Sequence, residues 1–462
     1  MELISKTISH LKSRIKKMPA TRLIVISFVV VILAGTVLLS MPFSSTNGAI
    51  SFIDAAFTAT SATCVTGLSL FDTYSSFSIF GQAVILVLIQ VGGLGFATFA
   101  TAFTLLTRKK LGYRNLLIFG ESAGTTGLDI VSLLRVVISV TFLCELIGSL
   151  ILMIRLVPEY GSLGAWASIF ASVSAFCNAG FDVFGFIEGN VSASTFISDP
   201  LVTLTISSLI FVGSLGFLVI QDIYVSKITS KIQKKSFVKL SYHSQICLRV
   251  SASLLLLGAL GFFFFEYNNT LNGLNFFDKV FASIFQSVNT RTAGFASVDI
   301  NSQHDITKVM TLILMFIGGS PGSTAGGIKV TTFIVIASTV ASTMRGRQDV
   351  VFLAHRFDKK TVYRAITVAF LGLMVIFVDL LLITYFSPIG TILDTVFESI
   401  SAFGTVGLST GVTANLNPLG KIVMILTMFI GRVGPASLGI AILIKGKKKN
   451  ESIYPEGRIL IG

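Results

Sequence analysis

Charge is scarce in this chain. Only 12% of its 462 residues are charged against 53% hydrophobic ones, a balance that excludes an ordinary pair of soluble domains and points to a bilayer. Cysteine is equally sparse: Cys64, Cys144, Cys177 and Cys247 lie in or beside apolar segments and form no CxxC pair, so a disulfide framework is excluded and reduced, structural thiols are expected. The histidines, His10, His243, His304 and His355, match no metal-ligand spacing. An intramembrane enzyme would need nucleophile, base or metal ligands converging at depth, and neither histidine nor paired aspartate supplies them.

What the chain does have is long apolar runs separated by short basic blocks. Stretches able to span a bilayer lie near 22–41, 78–106, 132–156, 201–225, 246–267, 308–343, 362–386 and 420–444. Leu23 to Met41 is too long for the core of a cleaved signal and reads as the first span. The net charge of +13 sits in blocks at the amino terminus, at Arg108 to Arg114, Lys227 to Lys239, Arg345 to Arg364 and Lys445 to Lys449, which is the pattern of membrane topology and excludes a nucleic-acid-binding face. Each block after the first follows an even number of spans, so both termini are expected in the cytoplasm.

Between the members of each pair of spans lies a weaker apolar stretch, at 52–69, 166–181, 277–296 and 392–409, too short to cross and suited to a re-entrant loop. These stretches repeat. They end in Cys64-Val65-Thr66-Gly67-Leu68, Cys177-Asn178-Ala179-Gly180-Phe181, Arg291-Thr292-Ala293-Gly294-Phe295 and Gly404-Thr405-Val406-Gly407-Leu408, with the last glycine of each recurring every 113 or 114 residues. Phe57, Phe170, Ile284 and Phe397 hold one common position before these glycines, and Ser61, Ser174, Val288 and Ser401 another; the third copy diverges most. A second signature follows in each later span, Gly92-Gly93-Leu94-Gly95, Gly213-Ser214-Leu215-Gly216, Gly318-Gly319-Ser320-Pro321 and Gly431-Arg432-Val433-Gly434. A single such glycine pattern more often means tight helix packing. Four copies at near-constant spacing argue for a shared site. Cys64 and Cys177 are read as small packing residues.

The expected architecture is therefore an all-α integral membrane protein, four repeats of span, re-entrant pore helix and span, with eight transmembrane helices around a central pore. The expected divisions are a cytoplasmic segment 1–21, repeats over 22–110, 111–228, 229–344 and 345–445, the last three each including the cytoplasmic loop before it, and a tail over 446–462. Irregular backbone at membrane depth is allowed only where it is buried in protein or lines a wet cavity. Four loops around one axis meet that condition together, and their carbonyls can replace the water shell of an ion. Glycine permits the left-handed backbone that turns successive carbonyls one way, and the negative end of each pore helix favours a cation. Gly318-Gly319-Ser320-Pro321-Gly322-Ser323-Thr324-Ala325-Gly326-Gly327 cannot form a regular helix and is expected to break the third repeat's second span.

On the four glycine loops, the GGSPGSTAGGIK run of 318–329, the RTAGF run of 291–295 and the GRVGP run of 431–435, the chain resembles the Trk/Ktr/HKT superfamily of potassium uptake proteins over nearly its whole length, and within it the Ktr type. The resemblance implies potassium as substrate, with sodium as activator or co-ion. It implies a filter at Val65, Thr66, Gly67; Asn178, Ala179, Gly180; Thr292, Ala293, Gly294; and Thr405, Val406, Gly407. Members that admit sodium often carry serine in the first loop, so Gly67 favours potassium. It further implies an intramembrane gate at 318–327 and a homodimer in the bacterial plasma membrane. The homodimer would be docked on a cytosolic regulatory ring that binds ATP or ADP, with no cofactor in this chain. A sodium-coupled secondary transporter of the same superfamily is the alternative, since broken helices also mark carriers.

Arg432 has no acid near it in sequence and is costly facing lipid, so its guanidinium is expected to bond carbonyls freed in 318–327 and raise the barrier below the filter. Arg291 is expected to point away from the pore and pair with an acid such as Glu398. Asp54 and Glu398 are expected to favour the amino ends of pore helices and to concentrate cations outside. Lys329 is a weaker signal, and Glu145 reads as well as a structural hydrogen-bonding group as a transport residue. The apolar tail around Ile459 to Ile461 is expected to dock on a second subunit.

Overall fold

The computed structural model describes residues 20–46, 48–95, 130–187, 192–232, 239–295 and 297–435. The expectations for 1–19, the loop of Arg108 to Arg114, the inner ends of the first and fourth second spans and the C-terminal tail fall outside these residues.

The described chain is predominantly helical: α1 (Ala20–Leu39), α2 (Phe52–Cys64), α3 (Ile79–Leu94), α4 (Ile130–Cys177), α5 (Pro200–Ser214), α6 (Phe217–Ile232), α7 (Tyr242–Glu266), α8 (Phe276–Asn289), α9 (Asp305–Phe316), α10 (Val330–Met344), α11 (Lys359–Phe386), α12 (Ile392–Gly404) and α13 (Pro418–Val433). Of these, α1, α4, α7 and α11 are long and apolar enough to cross a membrane. At 28 residues α11 measures about 42 Å, whereas the 13 residues of α2 or α12 reach about 20 Å, short of a hydrocarbon core. The long helices are apolar on both sides: on α11, Phe370, Leu373, Phe377 and Leu381 face outward while Gly372, Ile376 and Ile383 pack inward.

The short helices form the interior. Phe57, Phe170 and Phe397, at matching positions in three of them, are fully buried. Helix α2 packs on α1, α3 and α13, α8 on α7 and α5, and α12 on α11, α9 and α13. The last described helix therefore packs on the first short one, and the assembly closes on itself. Polar links hold this closure. Lys421 of α13 lies 2.5 Å from Asp54 in the first turn of α2, Lys308 of α9 lies 4.0 Å from Asp394 in the first turn of α12, and Trp166 donates to Gln82 of α3 at 2.7 Å. Gln82, Lys308 and Lys421 stand at the same distance before the span glycines Gly92, Gly318 and Gly431. Asp54 and Asp394 also serve their own helix starts, where Ser51 and Thr391 accept backbone N–H bonds.

Three features differ from the sequence expectation. Helix α4 runs through Pro158 to Cys177 with only Gly161 non-helical (φ 60°, ψ −131°), so the span and the short helix at 166–181 are joined by a kink with no loop between. The stretch 201–225 is not one straight span: α5 and α6 meet at 92° around Leu215 and Gly216. The structure is also not purely helical, because Val351–Phe352 pairs with His355–Arg356 in a hairpin whose turn residues Leu353 and Ala354 both have positive φ.

Replacing Lys421 by methionine leaves Asp54 half-buried without its ammonium partner. Thermal unfolding in detergent is expected to show a loss of about 2 kcal/mol, and the Asp54→Asn, Lys421→Gln double variant is expected to lose less than the two single variants together; additive losses would mean that the pair does not couple.

Candidate functional site

Each short helix ends by turning into left-handed backbone two residues before its glycine. Val65 (φ 57°), Asn178 (φ 60°), Thr292 (φ 65°) and Thr405 (φ 50°) all adopt it, and so do Gly67 (φ 88°), Gly180 (φ 71°), Gly294 (φ 77°) and Gly407 (φ 91°). For the non-glycine members this costs about 1–2 kcal/mol each, and such strain is characteristic of functional segments. Helix-end bonds hold the turns in three copies: Thr66 N–H donates to Ser61 O, Ala179 N–H to Ser174 O and Val406 N–H to Ser401 O, all at 2.8 Å. The third copy differs, with Ala293 N–H donating to Asn289 O at 3.0 Å while the Asn289 amide brackets Phe295.

The four turns close into a ring. A Cβ on Gly67 would lie 2.5 Å from the Ala179 carbonyl oxygen, one on Gly180 2.6 Å from that of Ala293, one on Gly294 2.6 Å from that of Val406, and one on Gly407 would collide with that of Thr66. Each loop is thus in backbone contact with the next in chain order, and the fourth with the first. All twelve residues expected in the filter are brought together here, and all are buried. The hydroxyls of Thr66, Thr292 and Thr405 are buried without a hydrogen-bond partner among the described residues. The ring forms the floor of a cavity of about 780 Å³ that also reaches Asp72, Asp182 and Asp299, carboxylates whose field favours cations at the entrance.

The span glycines have a specific job. A Cβ on Gly92, Gly213 or Gly431 would run into the carbonyl of Thr63, Phe176 or Phe403, the last turn of the short helix in the same quarter. In the third quarter Gly318 instead faces the Gly326 carbonyl of its own broken segment. The break itself was expected only there, yet α3 and α13 also stop at left-handed glycines, Gly95 (φ 78°) and Gly434 (φ 89°), and α5 stops just before Gly216 (φ 90°).

The segment 318–327 folds back so that Gly318 N–H donates to Ile328 O (2.8 Å) and Val330 N–H to Gly319 O (3.1 Å). It is strung along the bend of α5 and α6: Ser320 N–H donates to Ser214 O (3.0 Å), Thr324 N–H to Gly213 O (3.3 Å) and Phe217 N–H to Gly322 O (2.9 Å). Its far limb sits against the fourth turn, where Gly326 has no room for a Cβ beside the Thr405 hydroxyl. None of its residues lines the cavity above the ring.

Three cations, Arg432, Lys329 and Arg291, hold carbonyls of this segment. Arg432 donates to the Thr324 carbonyl, and also to Gly92 O (2.6 Å) and Gly93 O (3.3 Å) at the end of α3, which was not anticipated. Lys329, a weak signal in the sequence, donates to Ala325 O (2.6 Å) and Gly326 O (3.3 Å). The pairing of Arg291 with Glu398 is not observed. Arg291 donates to Gly318 O, at the break of the third span, and to Ser251 O, within α7, each at 3.4 Å. Glu398 instead accepts from Ser409 (2.5 Å), from Thr410 N–H (3.0 Å) and from the Thr413 hydroxyl (2.5 Å), tying down the chain that leaves the fourth turn. Glu145 accepts from Gln90 at 2.9 Å. Asp379, which the sequence reading missed, is buried on α11 and accepts from Thr427 of α13; a lone acid inside an apolar run was the available signal.

Comparison with known proteins converges on one family. The family described as TrkH, cation transport protein, matches residues 4–452. Ktr system potassium uptake protein B of Bacillus subtilis (strain 168) is 39% identical over 446 residues, covering 96% of each chain. Potassium/sodium uptake protein NtpJ of Enterococcus hirae is 34% identical over 461 residues, 98% of this chain and 99% of its own. The crystal structure of the potassium transporter TrkH from Vibrio parahaemolyticus superposes with a TM-score of 0.69 over 90% of this chain and 84% of that one, at 18% identity, and so shares the fold. The chain is a multi-pass helical membrane protein and belongs to the TrkH family of cation transport proteins.

Proposed function

We propose that this protein takes up potassium across the bacterial plasma membrane as the ion-translocating subunit of a Ktr-type system. The observation that carries this reading is the ring, in which four left-handed turns bring the carbonyls of Thr66, Ala179, Ala293 and Val406 against the neighbouring glycines. Backbone carbonyls gathered at the negative ends of buried helices suit a dehydrated monovalent cation. The names of the two relatives, one a potassium and the other a potassium/sodium uptake protein, agree with it. In this reading the chain is four parallel repeats of span, pore helix and span around one axis, divided as the sequence periodicity suggests, with both termini cytoplasmic.

Val65 to Gly67, Asn178 to Gly180, Thr292 to Gly294 and Thr405 to Gly407 are the selectivity filter. Segment 318–327, with Arg432 and Lys329, is the gate beneath it. Its polar carbonyls are held by cations and by the bend of α5 and α6, so moving it means exchanging those bonds for water or for a partner's contacts. The functional unit is a homodimer on a cytosolic nucleotide-binding ring, through which ATP or ADP acts; potassium is the substrate and sodium an activator or co-ion.

Purified protein in liposomes is expected to pass tracer potassium in a flux that competing alkali ions block. Stoichiometric counter-flow would point instead to a carrier. Gly67→Ser puts a side chain into left-handed backbone and against the Ala179 carbonyl, so potassium flux and the preference over sodium are both expected to fall by about tenfold, the scale of a displaced polar contact; unchanged preference would remove the ring from the filter. Arg432→Ala removes the bonds to Thr324, Gly92 and Gly93 and is expected to raise potassium leak severalfold in the absence of the partner ring. Leak and gating identical to the unmodified protein would deny Arg432 a role in closure.

A further inference from the structure

We propose that Thr324 and Asn178 together determine ion selectivity: the gate segment is also the floor of the filter, and a side-chain hydrogen bond from it fixes the joint between the second and third filter loops. This rests on the potassium-pore reading above and adds to it a link between where the gate sits and what the filter accepts.

Asn178 is the one filter residue at its position with a side-chain amide. The equivalents Val65, Thr292 and Thr405 are an alkyl group and two hydroxyls without partners among the described residues. Its Nδ2 donates to the Arg291 carbonyl at 2.8 Å, crossing from the second filter loop to the third. Its Oδ1 accepts from the Thr324 hydroxyl at 3.0 Å. The two bonds fix the orientation of the amide, since a flipped group would face the Arg291 carbonyl with an oxygen. The same hydroxyl lies 3.2 Å from the carbonyl of Phe176, the last full turn before the filter. All four groups are buried, so none can take water in exchange.

The space for this contact is built into α5. A Cβ on Gly213 would lie 2.8 Å from the Asn178 Oδ1 and 3.0 Å from the Thr324 Oγ1, so that position stays bare and Gly213 accepts the Thr324 N–H instead. A second tie runs the other way, from Arg291 in the third loop to Gly318 at the start of the gate segment. When the segment leaves its seat, Asn178 loses the partner that orients it, and the bridge to Arg291 loosens. The carbonyls on either side of that bridge, Ala179 and Ala293, are two of the four in the ring. A loosened joint tolerates the smaller sodium ion or its shell, so discrimination weakens as the gate is displaced.

The test is the potassium-to-sodium permeability ratio of the full-length protein in liposomes, read from reversal potentials and from competing tracers. Thr324→Val keeps the shape and removes the donor; its ratio is expected to drop about fivefold, the weight of one buried hydrogen bond. Thr324→Ser restores the hydroxyl and is expected to restore the ratio. Ser323→Ala removes a bond made only within the segment, to Ser320 O at 2.7 Å, and is expected to change flux without changing the ratio. In an Asn178→Thr background, which carries the residue of the third and fourth loops, Thr324→Val is expected to have no further effect on the ratio; this cycle and Thr324→Ala also serve if the valine variant fails to assemble. An unmodified protein that passes potassium selectively alongside a Thr324→Val or Thr324→Ala variant with the same ratio would overturn the proposal and leave the pore reading standing. An unmodified protein with no preference for potassium would overturn both.

Discussion

Bare backbone deep in a membrane is the constraint on which the rest of this structure depends. A peptide group without a partner in hydrocarbon costs several kcal/mol, yet in each quarter a helix ends twice among the described residues, once at the close of a short helix and once at the glycines of the helix that follows. The interruptions survive because they face one another. The last-turn carbonyls of three short helices lie against span glycines, the four glycine turns lie against one another's carbonyls, and the broken third span is strung along the bend of the second quarter. Cations take up further carbonyls, with Arg432 reaching two different quarters at once. Among the described residues, the buried side-chain groups left without a partner include the hydroxyls of Thr66, Thr292 and Thr405 in the ring, where a polar guest has most to offer.

The same economy explains why the fourfold pattern is imperfect. Three short helices end alike, with paired N–H bonds back to a residue holding a common position; the third ends differently and carries Arg291 into the interior. Among the described residues, the break of the third span forms a loop of its own. The two departures touch: Arg291 reaches Gly318, and Thr324 reaches Asn178. An arrangement with four equal quarters would close the ring but leave no element set apart from it. Divergence of one copy provides such an element without giving up the ring of glycines.

Much of this was legible in the sequence, and the reasons are specific. Constant spacing picked out Gly67, Gly180, Gly294 and Gly407 because four loops that meet cannot drift independently. The run 318–327 declared itself through glycine and proline, which no regular helix absorbs. The left-handed turns at Val65, Asn178, Thr292 and Thr405 were not legible, because nothing in an alkyl, amide or hydroxyl side chain marks a strained backbone. The bend at Gly216 was hidden inside an apolar run that satisfies every requirement of a straight span. The pairing of Arg291 with Glu398 failed because matching signs ignores competing partners; Glu398 found hydroxyl and N–H donors nearby, and Arg291 found carbonyls, one of them at the break of the third span. Asp379 was overlooked although an acid inside a span is costly enough to deserve a partner, here Thr427.

The central claim is that the ring of glycines and carbonyls is where the transported ion sits. Diffraction from crystals of the protein grown in rubidium or thallium salts, heavier ions of potassium-like size, tests it most directly. Anomalous density is expected on the axis between the carbonyls of Thr66, Ala179, Ala293 and Val406, fading when sodium replaces the heavier ion. Density confined to the outer cavity near Asp72, Asp182 and Asp299, with none inside the ring, would contradict it.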